Sequence, residues 1–376
     1  MSLLTEALKR ILHWKYQQYC FYISNLKKKQ SNSSLDIEES FFKFNPGLSI
    51  QEIRNITKDL PFQLPPEICE LYQWRNGLIN GLDCFFDVGR GWPSVTWCGF
   101  KSLQAVVNQA MTVLERKSYM AEELGKWGII PDTWSWQSGL WIFPGDECRD
   151  GSVVINKNDL SSLVIFVDYK GGGNTVIAKY ASLTSMMLTM ADCYEQAFYR
   201  DDRGYLSCDE EKARKIWQQY NSERIVERTL KRVEKIESSL PEMNPNTGYE
   251  FLQEVGDVLK FSQDSRLIDL LIRVITRPPL NTTYDENLNY LRSMALMFLD
   301  SGGIDAVESL ILALKHESWQ TQYWAAYVLG YLNNTRAVDP LIETLQDSNS
   351  EVREMAREAL NRLLIAFPEI EDKLSF

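Results

Sequence analysis

Between Leu64 and Gly77 the chain reads LPPEICELYQWRNG, with Ile68, Leu71 and Tyr72 at the i, i+3, i+4 spacing of one buried helical stripe. Pro65 and Pro66 suit a first turn, where a missing N–H costs nothing. Glu67 and Glu70 then sit toward the positive end of the helix dipole. Asn76-Gly77 tolerates the left-handed backbone that closes a helix. The same periodicity predicts helices along Leu8, Leu12, Tyr16, Tyr19, Ile23 and Leu26, along Ile50, Ile53, Ile56 and Leu60, and over 103–120 and 183–194. Alternating apolar and polar positions predict strands within 136–157, around 85–88 and 95–97, and a hairpin over 163–180 that turns at Lys170–Asn174. Helices around antiparallel strands make an α+β domain that closes near residue 200.

Beyond Asp201-Asp202-Arg203-Gly204 the strand signals stop. Asp209–Ser238 reads as one long charged helix, followed by further helices, a Pro278-Pro279 break and an Asn-rich loop near 281–289. The last part repeats itself. Val307/Val338, Leu310/Leu341, Leu314/Leu345, Ala325/Ala356, Leu329/Leu360 and Leu332/Leu363 coincide at an offset of 31. Each copy is helix, polar turn, helix, and one copy alone cannot bury its apolar faces, so the expectation is an all-α solenoid. Residues 267–275 with 290–299 look like an earlier, degenerate copy. The expected organisation is an N-terminal amphipathic helix and polar linker over 1–40, an α+β domain over 41–200 and a helical domain over 205–376.

Composition narrows the function. The 376 residues exceed what one core holds, and 44% hydrophobic with 24% charged residues describes an ordinary globular chain. The net charge of −11 is uneven: 20 basic against 21 acidic residues in 1–200, but 20 against 30 in 201–376. That balance argues against nucleic acid and suits a basic protein partner, or simply solubility. Seven cysteines without a C-x-x-C pair support neither zinc nor a disulfide framework, which points to a reducing compartment. No apolar run reaches the length of a membrane span, and the basic cluster at 27–29 lies at the wrong end for a signal peptide. The expectation is a cytoplasmic protein.

Reactive chemistry is thin. His13 and His316 are the only histidines, too few for a histidine-based triad or a His-rich metal site. Gly171–Gly173 lacks the Gly-Lys-Ser/Thr of a phosphate loop, and Asp146–Gly151 lacks the ligand spacing of a calcium loop. No catalytic, cofactor-binding or metal-binding residue is therefore assigned, and the chain is expected not to be an enzyme. Aromatic placement says more. Seven of the eleven tryptophans lie between 74 and 141, and Trp134 and Trp136 share a strand parity beside polar Ser135 and Gln137. Such a pair is either core or a binding hot spot. In the penultimate helix Trp319, Tyr323, Tyr327 and Tyr331 form a ladder off the core stripe, where the next copy carries Ser350, Glu354, Glu358 and Arg362. The ladder either packs on another part of the chain or receives a partner.

Two resemblances complete the reading. AVDPLIETL (337–345), DSNSEVR (347–353) and the A-x-x-A-L pattern at 356–360 resemble HEAT repeats, notably the short form of bilin-lyase HEAT-like proteins. LPPEICELYQWRNG (64–77), LWIFP (140–144) and AKYASLTSMML (178–188) resemble the SUKH superfamily, a fold of bacterial toxin-immunity proteins and of a fungal cell-wall-signalling hub. Together they imply a SUKH-like α+β domain joined to a HEAT-type solenoid. The implied function is protein binding, as immunity-type or regulatory sequestration; a housekeeping assembly scaffold and a bilin-lyase-like cofactor-handling protein are the alternatives.

Overall fold

A computed structural model describes residues 2–29, 44–78, 100–115, 134–144, 149–156, 159–168, 175–200, 206–237, 245–276, 286–299 and 304–371. The polar linker over 30–40, the strand-like pieces at 85–88 and 95–97, the acidic residues 146–148, the Lys170–Asn174 turn and the loop over 281–285 lie outside the described residues. The chain divides into two compact units, Met1–Ile225 and Val226–Phe376. Among the described residues no helix is long and apolar enough to cross a membrane.

In the first unit α1 (Leu3–Lys29) buries Leu4, Ala7, Leu8 and Ile11 and packs on α5 (Leu183–Asp192). This corrects the expected stripe: Leu12 is half-buried and Tyr16 is exposed, while the side chains of Tyr19, Ile23 and Leu26 lie outside the described residues. Arg10 sets the rotation, because its guanidinium binds Asp192 and Glu195, with Nε 2.9 Å from Glu195 Oε1. One turn on, Trp14 stacks on Tyr194 with centroids 4.5 Å apart. The first helix is therefore part of this unit's core.

A Ser49–Glu52 capping box opens α2 (Ile50–Thr57), and Pro66 opens α3 (Pro66–Trp74), which buries Ile68, Leu71 and Tyr72 as expected. The end of α3 differs from expectation. Arg75 is already extended and leads into β2 (Arg75–Leu78), which pairs antiparallel with β1 (Phe44–Pro46). Gly77 has φ +78° inside that strand, and a Cβ there would lie 2.4 Å from Ser102 N, so the glycine admits a close backbone rather than closing a helix. Asn76 Oδ1 accepts from Leu103 N at 2.8 Å, at the start of α4 (Leu103–Glu115).

A four-stranded antiparallel meander follows: β3 (Trp134–Pro144), β4 (Arg149–Asn156), β5 (Ser162–Asp168) and β6 (Thr175–Tyr180), ordered β3-β4-β5-β6. Leu140–Phe143, Val153–Ile155 and Leu163–Phe166 are buried continuously. α5 runs on through a π-turn, Cys193–Ala197, into β7 (Phe198–Arg200).

The strand signals do not stop at residue 200, because β8 (Leu206–Cys208) pairs with β7. Then come α6 (Glu210–Trp217), a π-turn over Gln218–Ser222 and α7 (Glu223–Glu237). The division between units falls within α7, later than the expected 200–205, for two reasons on buried side chains. Trp217 Nε1 donates to Lys179 O at 2.9 Å. Asn221 accepts from Ala181 N at 2.9 Å and donates to Thr189 Oγ1 at 2.9 Å and to Trp217 O at 3.0 Å.

The second unit is a helical stack: α8 (Pro245–Ser262), α9 (Ser265–Thr276), α10 (Glu286–Leu299), α11 (Ile304–Ala313), α12 (Trp319–Tyr331), α13 (Val338–Thr344) and α14 (Ser350–Ala366). α9 packs on α10, α11 and α12, and α14 packs on α12 and α13. The repeat explains the stack. Val307, Leu310, Ala325 and Leu329 are buried, as are their counterparts Val338, Leu341, Ala356 and Leu360. Each fully buried Leu stabilises the stack by about 2 kcal/mol.

Candidate functional site

The site is built on α12 and α14, the second helices of the two copies. Small residues let them approach: a Cβ on Gly330 would sit 2.8 Å from Ala359 Cα. Ser318 starts α12, its N–H donating to His316 Nδ1 at 3.0 Å. Thr321, Ala325, Ala326, Val328 and Leu329 then face the core. Asn349 caps α14 by accepting from Glu351 N at 2.8 Å and Val352 N at 3.4 Å. Arg353 braces the preceding turn through the carbonyls of Asp347 (2.8 Å) and Ser348 (2.9 Å).

Four aromatic side chains of α12, from Tyr323 to Tyr331, form a continuous row. Tyr323 meets Trp324 and Trp324 meets Tyr327, each edge-on at 5.4 Å, and Tyr327 meets Tyr331 at 4.8 Å. The Tyr327 hydroxyl donates to the Tyr331 oxygen at 3.3 Å. Tyr331 at the end of the row is 51% exposed, and Trp319, four residues before Tyr323, is 41% exposed, so both stand open to solvent. Beside the row α14 presents Glu351, Glu354, Arg357 and Glu358 as exposed residues. Arg357 pairs with Glu354, and Arg362 lies 3.7 Å from Glu358.

Residues 307–368 match a family model of HEAT repeats. No curated protein matches the chain. The matched HEAT repeats span α11 to α14 and contain the whole ladder. Repeats of this kind generally serve protein–protein interaction.

Two cations already lie on the row within these repeats and their neighbour. Arg362 stacks over Tyr331 at 4.3 Å and Tyr327 at 5.3 Å. Its Nη1 is buried without a hydrogen-bond partner among the described residues, so stacking carries that part of the group. On α10, Arg292 lies 4.4 Å from the Trp324 ring, and its Nε donates to Ile275 O at 3.0 Å. Burial, then the bond to Tyr331, pushes the Tyr327 phenol up to about 12. Burial, then the carboxylates of Glu358 and Glu351, raises Tyr323.

Sequence reasoning named Trp319, Tyr323, Tyr327 and Tyr331 but missed Trp324, Arg292 and Arg362 as members of the row. Trp324 follows Tyr323 directly and falls outside a four-residue stripe. The neighbouring repeat's Arg362, which lies over Tyr327 and Tyr331, is none of the packing partners expected for the ladder. Trp134 and Trp136 lie on β3, whose register with β4 shifts between Trp134 and Gly139. Their side chains lie outside the described residues.

The first unit contains an open cleft of about 530 Å³ beside α3 and the start of α5. Glu67 on its wall accepts from Thr184 N at 2.8 Å, Thr184 Oγ1 at 2.7 Å and the Ser162 hydroxyl. That carboxylate is spent on tying α3 to α5. Burial pushes the Cys69, Cys193 and Cys208 thiols upward, Cys208 to about 11, away from the thiolate a nucleophile needs.

Proposed function

We propose that the chain is a non-catalytic protein-binding adaptor that docks its partner on the ladder face of the HEAT repeats. One observation carries the reading. The α12 copy places Trp319, Tyr323, Tyr327 and Tyr331 where the α14 copy places Ser350, Glu354, Glu358 and Arg362, and the aromatic ends remain open. Amphipathic rings of this kind supply large contact area with little entropy to lose, which is why they dominate binding hot spots. The test is affinity capture with the full chain and with a Trp319→Ser, Tyr323→Ser, Tyr327→Ser variant. Partners held by the native chain and absent from the variant support the reading. Identical recovery sinks it.

A finer reading comes from the SUKH-like motifs at 64–77, 140–144 and 178–188, which favour immunity-type or regulatory sequestration of one partner over a housekeeping assembly scaffold. Sequestration gives a single tight complex that blocks the partner's activity. A scaffold retrieves several partners and leaves their activities intact.

A further inference from the structure

We propose that Cys193 and Cys208 form a thiol pair that closes to a disulfide under oxidising conditions and locks the end of α5 to the strand leading into α6. Two sets of contacts bring them together. Cys193 opens the π-turn after α5 and is buried in a small cluster with Ala197, Ala213 and Ile216, and Cys208 packs against that same cluster. Along the backbone, the Phe198 N–H donates to Cys193 O, and Phe198 stands directly opposite Cys208 in the β7–β8 ladder. Residues opposite each other in an antiparallel pair share a face, and the Phe198 and Cys208 side chains both pack on the cluster. One residue further on, Asp209 N donates to Ala197 O at 2.9 Å, which holds the register of this hairpin. Neither cysteine is joined in a disulfide. The thiols also sense each other, since Cys208 adds to burial in holding the Cys193 thiol up.

Unequal exposure sets the order of the chemistry. Cys208 is half-buried, whereas Cys193 is 2% exposed, so Cys208 reacts first. Its thiol loses a proton, and the thiolate attacks one sulfur of a low-molecular-weight disulfide. That S–S bond breaks and one small thiolate leaves. The Cys193 thiolate then attacks the Cys208 sulfur, and the second small thiolate leaves. The protein pair is oxidised by two electrons, and the small disulfide is reduced to two thiols that take up the two protons. Burial first, then the carboxylates of Glu210 and Asp209, pushes the Cys208 thiol up to about 11. Little thiolate is present near neutral pH, so the pair closes slowly and answers sustained oxidant. β8 is the entry to α6, whose Trp217 donates to Lys179 O. A cross-link here removes freedom from the opened hairpin and so favours residues 206–225 in their docked place on the first unit.

The experiment exposes the full, reduced chain to oxidised glutathione at mildly alkaline pH and maps its peptides by mass without reduction. The native chain is expected to yield a peptide joining Cys193 to Cys208, lighter by two hydrogen atoms than its reduced parts, and to reopen with dithiothreitol. Cys193→Ala is expected to stop at a glutathione adduct on Cys208, and Cys208→Ala to leave Cys193 unmodified; circular dichroism checks both folds. Hydrogen exchange of α5 and α6 peptides is expected to slow on oxidation, on the order of a hundredfold for amides that exchange through opening of the hairpin. Absence of the Cys193–Cys208 link in the native chain, or a link from either residue to another cysteine in its place, overturns the pair. A link that leaves α6 exchanging as fast as before overturns the lock. Should Cys193→Ala fail to fold, the native map and Cys208→Ala, at the half-buried position, decide the matter.

Discussion

Gly330→Ala tests the helix approach on which the docking face depends, because two effects of opposite sign compete. Alanine in the last turn of α12 gains up to about 1 kcal/mol from helix propensity and a less flexible unfolded chain. Against this, the new Cβ would lie 2.8 Å from Ala359 Cα and 2.9 Å from Ala359 Cβ. Carbon atoms normally approach to about 3.5–4.0 Å, so α12 and α14 must separate by roughly 1 Å. Overpacking of that kind costs about 1–3 kcal/mol. The packing loss wins, leaving a net destabilisation of about 1–2 kcal/mol, or roughly a tenfold rise in local opening. Native-state hydrogen exchange on peptides from α12 and α14 reads this directly. Adding Ala359→Gly relieves one of the two contacts and recovers part of the protection. Slower exchange in Gly330→Ala than in the native chain refutes the close approach.

Three further outcomes follow from the first unit. Asn221→Leu removes three buried hydrogen bonds and is expected to cost about 3 kcal/mol in urea unfolding; an unchanged midpoint would separate residues 206–225 from this unit. Glu67→Gln keeps one acceptor where Thr184 and Ser162 supply three donors. It should lower stability by about 2 kcal/mol, read by calorimetry, and a neutral result would mean that the carboxylate does not tie α3 to α5. Tyr220 donates to Asp192 Oδ2 at 2.7 Å, and burial, then this bond, pushes its phenol up to about 12. The folded value lies above the unfolded one, so the stabilisation is intact below pH about 10 and is lost as pH rises toward about 12. Tyr220→Phe should flatten the alkaline stability profile in that window, and an unchanged slope would contradict the assignment.

What could be read from the residues alone follows physical rules that act along the chain. The repeat was legible because Val307 and Val338, or Leu329 and Leu360, do the same work at the same spacing. The ladder was legible because three of its four counterparts, Glu354, Glu358 and Arg362, are charged. The rotation of α1 was not, since Arg10 chooses it by finding Asp192 and Glu195, far along the sequence. The unit boundary was missed because Asn221 and Trp217 look like parts of a charged surface helix until their polar atoms are traced to Ala181 and Lys179. Gly77 was read as a helix stop because its positive φ is visible in the residue type, but the backbone of Lys101 and Ser102 that demands it is not. The cations on the aromatic row come from neighbouring helices, and no periodicity within α12 announces them.

The central claim is that partners sit on the open face of α12. Photocrosslinking tests it most directly, with p-benzoylphenylalanine placed at Tyr323 and, separately, at Leu312, which is 74% exposed on α11. The account predicts that a captured partner crosslinks from position 323 and not from position 312. Crosslinks from 312 alone, or equal yields from both positions, would contradict it.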